Sequence, residues 1–104
     1  MTFTQIIDVR STDEPGLHEL ARNWHAAEQG VAPGYQGIAI LADRDEPGRF
    51  LILVDFLDQA KAEVNNARPE TQQWAASLSK LIDGEPTYRN CRQVCSSYAM
   101  AAGA

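Results

Sequence analysis

Long apolar runs are missing from this sequence of 104 residues. The longest uninterrupted one, Phe50 to Val54, falls far short of the ~20 residues a membrane-spanning helix needs, and the N-terminus lacks the basic-then-apolar layout of a signal peptide. A cytoplasmic protein of one domain is expected. Positive charge is also sparse: 9 Lys and Arg stand singly among 14 Asp and Glu, for a net charge of −5. A phosphate-tracking nucleic-acid binder needs a basic stripe to release counterions, and an anionic membrane surface attracts the same stripe, so neither partner is expected. Cysteine is limited to Cys91 and Cys95, four positions apart in a segment that reads as a strand. At ~3.3 Å per residue their Cα atoms lie about 13 Å apart, whereas a disulfide needs roughly 4.4 to 6.8 Å. With no CxxC pair, two buried or half-buried free thiols are expected. Histidine is limited to His18 and His25, separated by ~10.5 Å on a helix rising ~1.5 Å per residue. The i, i+4 spacing of zinc sites is missing, as are a Gly-rich phosphate loop, a GxSxG elbow and any internal repeat.

What is present is patterning. Thr2 to Arg10 alternates Phe3, Gln5, Ile7 and Val9 against Thr4, Ile6 and Asp8, which predicts a strand. Ser11 to Pro15 supplies a helix start and Gly30 a stop. Between them Leu17, Leu20, Ala21, Trp24, Ala27 and Glu28 fall within about 120° of a helical wheel. Gln36 to Ala42 reads as a second strand, Asp43 to Gly48 as a polar turn, and Arg49 to Leu57 as a third strand, together a hairpin. Asp58 can cap a helix from Gln59 to about Asn66. The chain is broken near Ala67-Arg68-Pro69, because the residue before proline avoids the helical region, and resumes from Glu70 or Thr71 to about Ile82. Tyr88 to Ser97 reads as the last strand, closing a domain over residues 1–98, and 99–104 as a small-residue tail expected to be mobile.

Strand, helix, strand, strand, helix, strand is the order of two split βαβ units. It predicts a ferredoxin-like α+β fold: a four-stranded antiparallel sheet with two helices on one face. The third strand is apolar on both faces, Phe50, Ile52, Val54 and Phe56 on one and Leu51, Leu53 and Leu57 on the other. One helix layer covers one face only. A second copy of the chain, sheet against sheet, is the expected cover.

That order, the Pro33-Gly34-Tyr35 turn, the aromatic-ended Leu53-Val54-Asp55-Phe56, and the broken helix carrying Asn65-Asn66-Ala67-Arg68-Pro69-Glu70 together resemble the antibiotic biosynthesis monooxygenase family of dimeric α/β barrels. The resemblance covers about residues 2 to 97. The family includes cofactor-independent oxygenases of polycyclic phenols and anthrones, haem-degrading enzymes, and members without an assigned activity. The oxygenase type implies a cavity between helices and sheet lined by Asn, Trp, Tyr and Arg, with neither metal nor flavin. There the protein orients an electron-rich phenol or enol, helps to remove its proton and stabilises the anion while oxygen reacts. The haem-degrading type implies a histidine on the second helix and an asparagine on the first strand. Here Asp58 to Ile82 holds no histidine and the first strand offers Gln5, so haem degradation is not expected.

Carried onto this sequence, the resemblance implies Asn65, Trp74 and Arg92 as catalytic residues and Trp24, Asn66, Phe56 and Tyr88 as substrate-binding ones. Each has a plainer reading. The asparagines can cap the helix break, Trp24 and Trp74 can be core, and Arg92 can be solvated or sit at a subunit interface. Arg92 is preferred to Arg89 because Tyr88 and Asn90 share its face of the strand. Phe56 stands where the family's third strand often ends in tryptophan, which removes an indole donor. Asp8 and Asp55 can serve as bases if buried alone, or as structural partners of Arg10 or Arg49. Three functions remain open: a cofactor-independent monooxygenase acting on an aromatic or polyketide-like molecule, a non-catalytic ligand-binding or structural dimer, and isomerase or cyclase chemistry in the same pocket.

Overall fold

Seven elements follow one another in the computed structural model, which describes residues 2–97: β1 (Phe3–Arg10), α1 (Glu14–Glu28), β2 (Tyr35–Ala42), β3 (Arg49–Phe56), α2 (Gln59–Asn66), α3 (Pro69–Ser79) and β4 (Thr87–Arg92). The expected tail over 99–104 lies outside the described residues. The strands form one antiparallel sheet in the order β2-β3-β1-β4, the ferredoxin-like arrangement. The broken second helix is two helices. Arg68 is extended, with φ −77° and ψ 142°, as a residue before proline prefers, and Pro69 then opens α3 where its missing N–H costs nothing. Asp13 and Asp58 cap α1 and α2 by accepting from the Gly16 and Lys61 amides at 2.9 and 2.8 Å.

The period of two in β1 and β3 sends Phe3, Ile7, Val9, Phe50, Ile52, Val54 and Phe56 to one face, where Leu17 of α1, Ala62 of α2 and Leu78 of α3 close over them. Ser11 knots the layers together: its buried hydroxyl donates to the Leu81 carbonyl at 2.6 Å and accepts from the Asp13 amide at 2.9 Å. At the other end Gly34, with φ +70°, lies so close to Lys61 that a Cβ there would come 2.5 Å from the Lys61 Cβ. Its carbonyl accepts from the Leu57 amide at 2.8 Å, which brings the starts of β2 and α2 together.

Three expectations need correction. α3 ends at Ser79, not near Ile82; Leu81 and Ile82 follow in a turn and still pack on the core. β4 stops at Arg92 because that residue pairs with Phe3, where β1 begins, so the ladder has no neighbour for a strand reaching Ser97. Cys91 faces away from the helices on this edge strand and Cys95 lies beyond its end, so both thiols are exposed. Asp8 and Asp55 also point away from the helices. Arg49 grips Asp8 through two hydrogen bonds of 2.7 and 3.1 Å and holds its carboxyl below the usual range, while Asp55 accepts from the Thr4 hydroxyl at 2.6 Å. Both acids are structural partners.

Candidate functional site

A cavity of about 250 Å³ lies between the helices and the inner face of the sheet. Gln5 and Ile7 of β1, Ile38 of β2, Val54 of β3 and Tyr88 of β4 form its sheet side. Trp24 of α1, Asn65 and Asn66 at the end of α2, and Thr71, Gln72, Trp74 and Ala75 of α3 form its helix side. The two indoles meet at a tilt, with centroids 5.8 Å apart. Behind them Tyr35 stands edge-on to Trp24 at 6.5 Å and to Phe56 at 6.3 Å. The helix break creates this wall, because it redirects the chain between Asn66 and Pro69 and lets α3 bring Trp74 against Trp24.

The asparagines are held differently. Asn65 is buried, and Arg68 Nη1 reaches its Oδ1 at 3.4 Å. The same guanidinium pairs with the buried Glu28 carboxylate at 2.8 Å and with Glu70 at 3.3 Å. The guanidinium that reaches Asn65 is thus itself held by two carboxylates. Asn66 is exposed, and its backbone carbonyl accepts from Gln72 Nε2 at 2.9 Å. On the sheet side Gln5 Nε2 donates to Asn90 Oδ1 at 3.3 Å. Tyr88 is 46% exposed and sits at the mouth, its phenol pushed up by partial burial and then by the Glu85 charge. Tyr35, outside the lining, is pushed up to about 12 by burial and by Glu28, and its hydroxyl is 2.8 Å from His25 Nδ1.

Of the residues singled out in the sequence, Asn65, Asn66, Trp24, Trp74 and Tyr88 meet in this cavity. Arg92 and Phe56 do not line it. Phe56 is fully buried in the core. Arg92 shares the inward face of β4 with Tyr88, but four residues along a strand is about 13 Å, and it is exposed at the strand's end. Sequence reasoning missed Gln5, Thr71 and Gln72 as lining residues. Gln5 carried a signal, a polar side chain in the otherwise apolar set Phe3, Ile7 and Val9. Thr71 lies three positions before Trp74, on the same helix face.

Two polar atoms of the lining residues are closed to solvent and have no hydrogen-bond partner: Trp74 Nε1 and Thr71 Oγ1. Buried polar groups are nearly always satisfied, so these two are exceptions within the packed side of the lining. A larger groove of about 690 Å³ runs between α1 and β2, under His18, Arg22 and His25, and holds none of the residues that the resemblance implies as catalytic or substrate-binding. Among the described residues no group of three or more His, Cys, Asp or Glu side chains is placed to hold a metal ion. No described helix is long and apolar enough to cross a membrane.

Solved structures share this fold. SnoaB, a cofactor-independent oxygenase from Streptomyces nogalater, solved as an asparagine-to-alanine variant, superposes with a TM-score of 0.73 over 92% of this chain and 96% of its own, at 17% identity. A candidate antibiotic biosynthesis monooxygenase from Deinococcus radiodurans gives a TM-score of 0.71 over 97% of this chain and 100% of its own, also at 17% identity. Another, from Nitrosomonas europaea, gives 0.69 over 89% and 90%, at 15% identity. The chain has the antibiotic biosynthesis monooxygenase fold. No protein-family model and no curated protein matches the sequence. At these identities the likeness is one of fold.

Proposed function

We propose that the cavity binds a flat, oxygen-bearing aromatic or polyketide-like molecule and oxidises it with O2 without a cofactor, as SnoaB is described as doing for its own reaction. The observation that carries this reading is the paired indole wall of Trp24 and Trp74, in a lining that also includes Asn65. Aromatic walls favour planar rings, and the amide side chains in the lining suit a carbonyl or phenolate oxygen. For an anthrone, the substrate's own methylene supplies all four electrons that O2 accepts. One oxygen atom becomes the new carbonyl and the other leaves as water with the two methylene protons, so no external reductant is required. In that scheme the Asn65 amide holds the enolate oxygen while the ring stacks on the indoles. Tyr88 keeps its proton at neutral pH and serves as a donor at the mouth.

One observation favours a second reading, binding without turnover. Tyr88 is the only ionisable side chain among the described lining residues, and Arg92 stands apart. Isomerase or cyclase chemistry, which needs an acid or base inside the pocket, draws on Tyr88 alone. An oxygen electrode separates the readings. Stoichiometric O2 uptake with an anthrone or naphthol, persisting after chelation, is the expected result. Saturable binding of the same compounds with no O2 uptake selects the non-catalytic reading. We further propose that the working unit is a homodimer joined through the outer face of the sheet.

A further inference from the structure

We infer that the groove between α1 and β2 is a second ligand site, which takes a small carboxylic acid with an apolar body. The apolar part lies on the inner face of β2, and the carboxylate meets the row His18, Arg22 and His25. The groove measures about 690 Å³ against about 250 Å³ for the indole-walled cavity, and Ile38 alone is common to the two linings. Its floor exists because β2 is an edge strand. Ile38, Ile40 and Ala42 stand opposite Val54, Ile52 and Phe50 and continue their face of the sheet, but burial runs out across that step. Val54, Ile52 and Phe50 are buried, Ile38 and Ile40 are half-buried, and Ala42 is exposed. Gly37 adds room at the Tyr35 end, since a Cβ there would meet nothing within 4 Å.

Charge gives the groove a direction. Glu14, His18, Arg22 and His25 fall within about 80° around α1, and all four line the groove. Glu14 is the only carboxylate in the lining and lies about 16 Å along the helix axis from His25. Tyr35, the first residue of β2, holds His25 at that end, its hydroxyl 2.8 Å from Nδ1. The phenol, pushed up to about 12, keeps its proton at neutral pH, so a neutral His25 accepts from it at Nδ1 and carries its own hydrogen on Nε2. A protonated His25 has the Nε2 hydrogen as well. In both forms Nε2 is a donor without a partner among the described residues, and the Arg22 guanidinium makes no ion pair there. The β2 side of the lining contributes no charged side chain that could compete for the row. A carboxylate matches the guanidinium fork with two oxygens. Glu14 at the far end disfavours a ligand that is anionic along its whole length, which leaves a single acid group on an apolar body.

The test titrates the whole chain with decanoate and with decanol, which has the same tail without the charge, reading affinity by calorimetry and location by backbone amide shifts in NMR spectra. Decanoate should bind more tightly than decanol. It should shift the amides of Arg22, Gly37 and Ile40 and leave those of Gln72 and Trp74 in place. Arg22→Gln, a change at an exposed position, should weaken decanoate about 5- to 10-fold and leave decanol within about twofold. Undiminished decanoate binding by Arg22→Gln, an equal loss for both compounds, or shifts confined to the indole-walled cavity overturns the inference and leaves the reading of that cavity standing. Failure of the parent chain to bind decanoate overturns it too. Amides of β2 that become better protected from hydrogen exchange as protein concentration rises, with decanoate making no difference, assign the groove to a second copy of the chain instead.

Discussion

Arg68 does three things at once: it pairs with buried Glu28, reaches Asn65 Oδ1 and touches Glu70. Both members of the Glu28 pair are well buried, so removing one strands a charge. Arg68→Met is expected to cost about 3 kcal/mol in urea unfolding and to weaken 1-naphthol, because Asn65 loses its guide. Replacing Glu28 by Gln in the same chain should recover part of the stability by removing the stranded carboxylate. Tyr35 gives a pH signature. Its phenol titrates near 12 in the folded protein and near 10 when unfolded. Between those values the unfolded chain has released a proton the folded one still holds, so stability falls as pH rises through this window and is fully present below it. Tyr35→Phe should flatten that alkaline limb in a melting-temperature series. Arg92, exposed and away from the cavity, should tolerate alanine with ligand affinity changed by less than about twofold.

At the scale of elements, the close approach of the β2 and α2 starts depends on Gly34. Alanine there meets a left-handed φ and the Lys61 Cβ and Cγ at 2.5 and 2.6 Å, whereas at Gly30, with φ +77°, a Cβ meets nothing within 4 Å. Gly30→Ala should therefore cost about 1 kcal/mol from backbone strain alone. Gly34→Ala should cost about 2 to 3 kcal/mol or shift α2, and chemical unfolding of the two variants side by side isolates the clash. Element order, inward faces and the helix break were legible because each is written in local chemistry: alternation in β1 and β3, capping aspartates, and Pro69. The end of β4 was not, because it depends on where β1 starts across the ladder. The same pairing moved Arg92 away from the cavity and left Cys91 on an open edge. Trp74 could be placed on a helix stripe from its spacing, but the unpartnered state of its N–H, and of the Thr71 hydroxyl, emerges only once three elements have packed.

The whole molecule measures 37 × 33 × 22 Å, and its thin dimension is about one helix layer on one sheet. The outer sheet face is therefore bare. Ile6, Leu51 and Leu53 are half-buried there by neighbouring strands alone, and Leu41 is 50% exposed. The Asp8–Arg49 ion pair and the Thr4–Asp55 hydrogen bond occupy polar groups on this face, and Arg89, opposite Ile6, adds a positive charge at its β4 side. Leu53 is the place to test the proposed dimer, because it pairs with Ile6 on β1 and Ala39 on β2, near the middle of the sheet. The parent chain should sediment as a dimer at micromolar concentration. Leu53→Glu, which puts a carboxylate at the centre of that face while leaving the helix-covered core untouched, should sediment as a monomer with unchanged far-ultraviolet circular dichroism. A monomeric parent chain would defeat the proposal, and so would a Leu53→Glu variant that remains dimeric, since a buried unpaired carboxylate is incompatible with a sheet-to-sheet interface.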